Sequence, residues 1–490
     1  MGILTGTSGT YYVMSNYAMS NSGFTPPNIY FDAVPSTATF TIRYDGTYFY
    51  AVRYDARCLH ADTELVTTLN NVISDTPTGG SIVIQENDAI FTLANYVNLN
   101  KDINFYSHAK LKVADSFPTY RVFDIQASDV DIFIYSLDGN KAGNPSQNFA
   151  GLEISGSENL KIKVHTKNFG YEDVCFKGSA SEPNKNIQLQ IHSENIGGVG
   201  LNSGVYLGQY NSDITISGRY YNISGNGGQV IYNTATLGAV TVRDFKVQDQ
   251  NNTGTGKPVI DCRANTITYI SNVEINVTTN NQAIITLATS EVYVNNLRIS
   301  NIGTSQSKAA IENYGVFIGS NIKVDMAYMA VYTRGGSDWA SVSGFDFRNT
   351  ETYTIYVNSD SGGNHTFGNG KIVGTYGISD GATSEKKSSF TNIDLTGVTT
   401  SWAKGNGAYL INCPGAKSQN SGKTQAKDGD SISHGLFDTP TAVVAVADTS
   451  DIFVSVVAIH TTTFVIDMRW SNGTEVTTYH AIYWFAERRP

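Results

Sequence analysis

Short segments in which apolar and polar residues alternate recur along the middle of the chain. From about residue 122 to residue 378 the same kind of segment restarts at intervals of 20 to 31 residues. The restarts are Val122-Phe-Asp-Ile, Gly151-Leu-Glu-Ile, Val174-Cys-Phe-Lys, Val205-Tyr-Leu-Gly, Val230-Ile-Tyr-Asn, Val259-Ile-Asp-Cys, Ala283-Ile-Ile-Thr, Ala310-Ile-Glu-Asn, Ala330-Val-Tyr-Thr and Thr354-Ile-Tyr-Val. Because a unit of two or three short strands cannot bury its own apolar face, neighbouring units must stack, which predicts a long parallel β-coil.

Two columns of residues follow from this repeat. Successive side chains of a strand point to opposite faces, so the mostly apolar second residue of each restart is expected to fill the lumen and the third to face outward. The expected inward column is Phe123, Leu152, Cys175, Tyr206, Ile231, Ile260, Ile284, Ile311, Val331 and Ile355. The expected outward column is Asp124, Glu153, Phe176, Leu207, Tyr232, Asp261, Ile285, Glu312, Tyr332 and Tyr356. Function is then expected on the outward face.

Asparagines recur where strands end. Asn168, Asn195, Asn222 and Asn301 each stand just before a turn. Asparagine tolerates the left-handed backbone and can hydrogen-bond from one turn of a coil to the next. We expect a structural ladder there.

The ends of the chain differ from the repeat. Residues 1–60 are predicted to be a β-rich attachment or capping region with a hairpin at Asp45-Gly46. Apolar residues at 65, 66, 69, 72 and 73 predict a helix, capped by Asp62, that closes the end of a coil spanning residues 61–412. Residues 413–424 are predicted to be a linker, and residues 425–490 a small β-sandwich for trimerisation or carbohydrate binding.

Composition narrows the function. The net charge is −10 and charged residues make up 16% of the chain, which argues against nucleic acid and anionic membranes as partners. No signal peptide is visible at the N-terminus, and no apolar run approaches the ~20 residues that cross a bilayer. Neither a metal-ligand spacing nor a phosphate loop or serine elbow occurs, so no metal and no cofactor is predicted.

The layout resembles the pectin-lyase-like right-handed β-helix of phage and archaeal-virus tailspikes. The likeness rests on the Asp62 helix, the strand start at Gly79-Gly80 and the turn Asp138-Gly139-Asn140. The tail Asp428-Gly-Asp-Ser-Ile-Ser-His-Gly-Leu is similar to a C-terminal β-sandwich often fused to such proteins. The resemblance implies an all-β, single-stranded right-handed parallel β-helix that forms homotrimers and binds, and often cuts, surface polysaccharide as a hydrolase or lyase. It also implies a location on a virion tail or outside the cell.

One group of outward residues fits glycoside hydrolysis. Asp261 and Glu312 are expected two strands apart, roughly 10 Å at the ~4.8 Å strand spacing, which is close to the separation of an inverting carboxylate pair. We expect them to act as acid and base, with Arg263 and Arg334 as substrate anchors. The residues expected to bind sugar beside them are Tyr232, Tyr332, Tyr356, Asp338 and Trp339.

A second group of carboxylates lies nearer the N-terminus. Asp124, Glu153, Glu172 and Asp173 are crowded, and crowded carboxyl groups raise one another's pKa. Glu153 and Asp173 are therefore the second choice for catalysis. The segment from Gly170 to Gly178 is similar to the paired-aspartate strand of polygalacturonases. However, Ala150 stands where that family has an aspartate and Gly197-Gly-Val-Gly-Leu lacks its histidine, so a polygalacturonase is not expected. The structural alternative is a set of solvated carboxylates opposite Lys161, Lys163, Lys167 and Lys177.

His165 and His192 end equivalent strands one repeat apart. They fit either the Brønsted base of a lyase or exposed residues of a ladder. The sequence thus predicts an endo-acting glycoside hydrolase, with a polysaccharide lyase of the same fold as runner-up. A non-catalytic glycan-binding adhesin or structural spike is the alternative from a different class.

Overall fold

A computed structural model describes most of the chain. The described residues are 2–6, 9–13, 39–54, 58–85, 90–145, 149–195, 203–222, 229–249, 258–277, 282–302, 309–334, 339–358, 364–381, 388–401, 408–416, 419–434, 436, 439–460 and 462–487.

The N-terminal strands are β1 Gly2–Gly6, β2 Gly9–Val13, β3 Phe40–Tyr44, β4 Phe49–Arg53 and β5 Cys58–Asp62. Strands β1 and β2 pair with each other in an antiparallel fashion. The hairpin predicted at Asp45-Gly46 joins β3 to β4, and Gly46 takes the positive φ of 106° that the turn requires. Strand β3 also pairs in parallel with the first coil strand at Ser81–Ile84, so from Phe40 onward this region continues the sheet of the coil.

One helix, α1 Leu65–Asp75, lies in the described residues. Its buried apolar residues are the predicted Leu65, Val66, Leu69, Val72 and Ile73, and they join the apolar cluster of the lumen. The prediction that Asp62 caps the helix is wrong in detail. The N-cap position is Glu64, which makes no side-chain cap bond, and Asp62 instead accepts a hydrogen bond from the Glu64 N–H at 2.9 Å.

A stack of parallel strands forms the coil. In chain order they are β6 Ser81–Ile84, β7 Ile90–Leu93, β8 Val97–Leu99, β9 Asn104–Val113, β10 Arg121–Ile125, β11 Asp131–Asp138, β12 Ala150–Ile154, β13 Lys161–Lys167, β14 Val174–Phe176, β15 Asn184–Glu194, β16 Ser203–Leu207, β17 Asn211–Tyr221, β18 Gln229–Asn233, β19 Ala239–Asp249, β20 Ile260–Cys262, β21 Ile267–Val277, β22 Ile284–Thr286, β23 Glu291–Ser300, β24 Ala309–Asn313, β25 Val316–Ala327, β26 Met329–Thr333, β27 Trp339–Val357, β28 Thr366–Asp380, β29 Ser388–Ser401 and β30 Ala408–Ile411.

Short and long strands form separate ladders. The short strands β8, β10, β12 and onward to β26 pair with one another, and we call their sheet the first face. The long strands β9, β11, β13 and onward pair likewise. Several long strands contain a residue with left-handed φ, such as Asn272, Asn296 and Asn321. A left-handed residue turns the chain sharply, so we call the part before it the second face and the part after it the third face.

The lumen is filled by aligned aliphatic residues. Leu152, Ile260 and Ile311 have no exposed surface, as predicted. Two turns are shifted by one residue relative to the prediction. Leu152 pairs with Val174, Val174 with Val205 and Val205 with Ile231, so Cys175 and Tyr206 join the outward column. Phe176 and Leu207, expected outside, are fully buried. In most restarts the first residue precedes the inward position. In these two restarts the first residues, Val174 and Val205, themselves occupy the inward position, so the prediction was displaced by one residue.

The predicted asparagine ladder is present. Asn168, Asn195, Asn222 and Asn301 all have left-handed φ. The Nδ2 of Asn195 donates to Oδ1 of Asn168 at 3.4 Å, and Asn222 donates to Asn195 at 3.3 Å. Asn301 donates to Asn276.

A second ladder, which the sequence analysis missed, runs along the corner between the second and third faces. Its members share left-handed φ and aligned register: Asp244, Asn272, Asn296, Asn321, Gly344, Asn369, Asn392 and Asn412. The Nδ2 of each asparagine donates a hydrogen bond to Oδ1 of the preceding member, wherever that member is an asparagine or aspartate. Gly344 interrupts this chain of hydrogen bonds.

The C-terminal strands form two three-stranded sheets. They are β31 Gln419–Ala426, β32 Ser431–Ser433, β33 Ala442–Ala447, β34 Ile452–Ile459, β35 Thr463–Trp470 and β36 His480–Glu487. The order is β31-β36-β33 in one sheet and β32-β35-β34 in the other, with Phe464, Ile466, Met468 and Ile482 buried in the cluster that joins them. Strand β31 begins at Gln419, inside the range predicted as a linker. Its Gly422 lies against the Trp484 ring, so a glycine-rich segment still packs as a strand.

Replacing Gly344 tests the second ladder. A Cβ at this position meets Asn321 only at ordinary contact distance, so Gly344→Asn can donate to Asn321 and accept from Asn369. Asparagine also loses less conformational entropy than glycine on folding, and we expect a gain of about 0.5–1 kcal/mol in the free energy of unfolding. Thermal unfolding of wild type, Gly344→Asn and Gly344→Ala measures it. A Gly344→Asn protein that melts no higher than Gly344→Ala, which has the strained φ without the amide, contradicts the ladder argument.

Candidate functional site

The outward column of the first face places the predicted acids in one row. Asp124 pairs with Glu153 on the adjacent strand. Asp261 pairs with Ile285, which pairs with Glu312, so these two acids are two strands apart as predicted. They lie opposite the lumen residues but are not open to water: Asp261 is 2% exposed and Glu312 is 1% exposed.

Asp261 is covered by polar partners. Its Oδ2 accepts a hydrogen bond from Nε2 of Gln229 at 2.5 Å and lies 2.9 Å from Nη2 of Arg263. The Arg263 guanidinium lies 4.9 Å from the centre of the Tyr232 ring. Burying a charge is costly unless it is paired, and Arg263 supplies the pairing charge.

Glu312 has a matching arrangement. It forms an ion pair with Arg334 and accepts a hydrogen bond from Oη of Tyr314 at 3.0 Å. The Arg334 guanidinium lies 4.5 Å from the Tyr332 ring centre and 5.6 Å from that of Tyr314. Burial, together with the Glu312 charge, raises the pKa of Tyr314 to about 12, so its hydroxyl remains a donor.

Aromatic residues continue from the Glu312 pair. The Tyr332 and Tyr356 rings meet edge to face with centres 5.0 Å apart. Trp339, 40% exposed, begins strand β27, and its carbonyl accepts a hydrogen bond from Asn313 at 3.2 Å. Asp338, predicted beside it, lies outside the described residues.

The sequence predicts Arg263 and Arg334 as anchors for a substrate. The structure places each of them in an ion pair with one of the expected catalytic acids. A substrate group that binds these arginines must therefore share them with Asp261 or Glu312.

The second group of acids forms a denser network. Arg121 bridges Asp124, at 3.1 Å, and Glu153. The ammonium of Lys177 lies 2.7 Å from Oε2 of Glu153. The lysine that was expected opposite solvated carboxylates thus pairs with a carboxylate that is 5% exposed.

Glu172 stands beside this network and is 7% exposed. Burial raises its pKa from 4.5 to about 7, and the Glu153 charge acts in the same direction, against the lowering effects of the Cys175 hydrogen bond and Lys177. A carboxylic acid with a pKa near 7 can hold a proton at neutral pH and release it in a reaction. The sequence analysis placed Glu172 among the crowded acids but selected Glu153 and Asp173, since the burial of Glu172 is visible only in the folded chain.

Asp173 does not belong with these outward acids. It has no exposed surface, and its Oδ2 accepts a hydrogen bond from the lumen residue Ser193 at 2.6 Å. Burial raises its pKa to about 7, although hydrogen bonds from Ser193, Tyr220 and Thr166 oppose the rise. Asp173 lies directly before strand β14, and its side chain points into the coil. The expectation of an outward Asp173 is therefore wrong.

His165 and His192 pair in register on the third face, as their spacing predicts. They are less exposed than expected, since His192 is 6% exposed. Burial, with the charges of Arg219, His165 and Lys163, lowers the pKa of His192 to about 4. His192 is therefore neutral at pH 7.

Neither a metal-binding cluster nor a helix that could span a membrane occurs in the described part of the chain. No group of three or more His, Cys, Asp or Glu side chains there could hold a metal ion. None of its helices has the length and apolar character of a membrane span.

Comparison with known proteins finds similarity at the level of structure. No protein-family model matches the sequence, and no curated protein matches it. The tailspike protein of E. coli bacteriophage HK620 in complex with a pentasaccharide is similar at a TM-score of 0.54 and 11% identity, over 90% of this chain and 92% of that chain. A mutant of that tailspike in complex with a hexasaccharide has a TM-score of 0.54 and 12% identity, over 88% and 90%. The Dettilon tailspike protein has a TM-score of 0.38 and 11% identity, over 87% of this chain and 91% of that chain. The likeness to the HK620 tailspike shows the fold alone: this chain is a right-handed parallel β-helix.

The buried Asp173 predicts how stability depends on pH. Because its folded pKa is raised from 3.8 to about 7, the folded state holds a proton that the unfolded state releases, and stability falls as pH rises through this window. We expect Asp173→Asn, which is neutral at every pH, to raise the melting temperature relative to wild type more at pH 8 than at pH 5. Thermal unfolding at both pH values measures this difference. An equal change at the two values would show that Asp173 is not protonated in the lumen.

Proposed function

We propose that this chain is a polysaccharide-degrading protein that holds its substrate along the first face and hydrolyses it by general acid/base catalysis. The fold supports a role on glycans, because the similar HK620 tailspike structures contain a pentasaccharide and a hexasaccharide. A shared fold does not define a reaction. The chemistry is therefore argued from the carboxyl groups of the first face.

The observation that carries the proposal is the raised pKa of Glu172 beside the ion-paired Glu153. Glu172, with a pKa of about 7, keeps a proton to donate near neutral pH. Glu153, on strand β12, is held by the guanidinium of Arg121 and the ammonium of Lys177. A carboxylic acid next to a charge-stabilised carboxylate is the arrangement that glycoside hydrolysis uses.

In the proposed reaction Glu172 transfers its proton to the glycosidic oxygen as the bond from that oxygen to the anomeric carbon breaks. Glu153 accepts a proton from the water whose oxygen bonds to the anomeric carbon. One water is consumed, and the products are a new reducing end and a free hydroxyl. Proton exchange with solvent then restores both carboxyl groups.

The other end of the face is proposed as the sugar-binding part. Tyr232, Tyr332 and Tyr356 are partly exposed and offer aromatic surface against which sugars can pack. Arg263 and Arg334 lie over two of these rings and can donate to sugar hydroxyls while they remain paired with Asp261 and Glu312. The alternative within this proposal is that Asp261 and Glu312, two strands apart, are themselves the acid and base of an inverting hydrolase.

A non-catalytic glycan-binding spike is the second function that a specific observation favours. The acids Asp124, Glu153, Asp261 and Glu312 are each paired with arginine or lysine and at most 5% exposed. Such pairs hold side chains in place for binding without chemistry. A lyase is the third option, and its product is chemically distinct.

The proposal also covers assembly and location. We propose a homotrimer on a virion tail, with the C-terminal sandwich in subunit contacts and the N-terminal region in attachment. The sandwich supports this because Val444 pairs with Phe485 and Val446 with Tyr483 on one exposed sheet surface. These four residues, which we call the apolar stripe, are 41–58% exposed.

Substituting Glu172 tests the reaction. We expect Glu172→Gln to lower the rate of polysaccharide cleavage by about 10²–10⁴-fold, because the amide has no proton to donate. The wild-type rate should fall as pH rises above about 7, where the acid loses its proton. Release of reducing ends from a glycan panel measures both effects. Glu182→Gln, an exposed acid on the loop after β14, is the matched control and should keep wild-type activity.

Three outcomes would contradict this assignment. Activity that survives in Glu172→Gln but not in Asp261→Asn or Glu312→Gln would move the acid/base pair to Asp261 and Glu312. A product absorbing near 235 nm would identify a lyase, since elimination leaves an unsaturated sugar. Glycan binding without cleavage after long incubation would support the non-catalytic glycan-binding spike.

Removing the apolar stripe tests assembly. We expect the double substitution Val444→Ser and Phe485→Ser to shift the protein from trimer to smaller species, because it removes apolar surface from a subunit contact. Light scattering coupled to size exclusion measures the mass. A mass unchanged from wild type would exclude the stripe from the contact.

A further inference from the structure

A shallow groove lies on the second face, outside the residues discussed so far. Its volume is about 290 Å³, and it runs along strands β21, β23, β25 and β27. At one end the rings of Tyr269 and Tyr293 are stacked, with centres 5.1 Å apart and planes 22° from parallel. Tyr269 is 45% exposed. An exposed aromatic stack on a rigid sheet is a surface on which the apolar face of another ring can pack.

The tyrosines are held in place by their surroundings. Tyr269 and Tyr293 are aligned on neighbouring strands. The hydroxyl of Tyr293 donates to Oε2 of Glu291 at 2.8 Å. This hydrogen bond also raises the pKa of Tyr293. Pre-ordered rings lose little conformational entropy when a ligand binds.

A column of hydroxyl and amide groups runs beside the rings. Ser271, Asn295, Ser320 and Ser343 are aligned on successive strands, two residues after the tyrosine column. The Ser320 hydroxyl donates to Oδ1 of Asn295 at 3.2 Å. The strands repeat at ~4.8 Å, close to the length of one sugar unit, so each strand can offer a polar group to a successive sugar.

The residues that line the groove are uncharged, and the charged residues nearest to them are Glu291, bonded to Tyr293, and Arg243, aligned with Ser271 on the preceding strand. The walls of the groove are Tyr269, Ile270, Ser271, Tyr293, Val294, Asn295, Ile318, Gly319, Ser320, Ser341 and Ser343, none of which is charged. The lining offers no cation that could attract the carboxylates of a uronic or sialic acid polymer, and the Glu291 carboxylate lies beside Tyr293. An uncharged ligand with many hydroxyls matches both the charge and the hydrogen-bonding groups.

We infer that this groove binds a neutral segment of a polysaccharide, with sugar rings stacked on Tyr269 and Tyr293 and hydroxyls bonded to the serine and asparagine column. The inference rests on the proposed function only for the class of ligand and does not require cleavage. The groove adjoins the first face through Trp339, whose strand neighbour Val316 pairs with Glu291.

Affinity electrophoresis of the whole chain tests the groove. The gels contain neutral bacterial O-polysaccharides, with alginate and polygalacturonate as acidic counterparts. We expect retardation by at least one neutral polymer, little affected by salt because no charges pair, and none by the acidic polymers. Tyr269→Ala and Tyr293→Ala should each weaken the binding at least tenfold, whereas Tyr269→Phe should retain it. Tyr479→Ala, an exposed tyrosine of the sandwich, is the matched control.

Each remaining outcome overturns the inference. Retardation only by acidic polymers, by none of the gels, or equally in the double variant Tyr269→Ala/Tyr293→Ala would remove the groove as a neutral-glycan site. A double variant with changed mass in sedimentation would make the face a contact between copies of this chain. The cleavage assay distinguishes the two proposals. Binding of a neutral polymer that depends on the tyrosines, without cleavage, would support the groove and exclude the hydrolase. Cleavage together with unaltered binding in the tyrosine variants would support the hydrolase and exclude the groove.

Discussion

The stacking of aliphatic residues in the lumen is the constraint on which the rest of this structure depends. Leu152, Val174, Val205 and Ile231 lie in register on successive strands and are fully buried. Because strand side chains alternate, a slip of one residue would exchange lumen and surface along the whole strand. The apolar column therefore decides which residues of the first face point outward, and with them the position of every acid, arginine and tyrosine of the site.

Charge pairing is the second organising feature, and it follows from the first. A flat parallel sheet places outward residues of neighbouring strands ~4.8 Å apart, so acids such as Asp124 and Glu153 are brought close together. Arg121 lies between them and offsets their repulsion. Glu172 differs because no basic side chain within the described residues forms an ion pair with it, and burial then favours its protonated form. The same geometry thus produces both a structural network and one carboxyl group suited to proton transfer.

The first and second faces of the coil carry different kinds of side chains. The first face concentrates charged and aromatic residues, whereas the groove of the second face combines a tyrosine stack with hydroxyl groups and no charge. Left-handed asparagines such as Asn272 and Asn296 form the corner that follows the groove, and their amide hydrogen bonds keep successive turns aligned. A rigid corner of this kind holds the groove at a fixed place relative to the turns above and below.

The sequence by itself determined the coil, the capping helix, the asparagine ladder at Asn168, Asn195 and Asn222, and the placement of Asp261 and Glu312 in one outward column. These features depend on local alternation and on repeat spacing, which are readable along the chain. Only the tertiary structure decided that Arg263 and Arg334 cover those acids, that Asp173 turns into the lumen, and that Glu172 is buried. The reason is physical. Arg263 follows Asp261 by only two residues, but the contacts of Arg334 with Glu312 and of Ser193 with Asp173 join residues about one turn of the coil apart, and the variable length of each turn sets which of them meet.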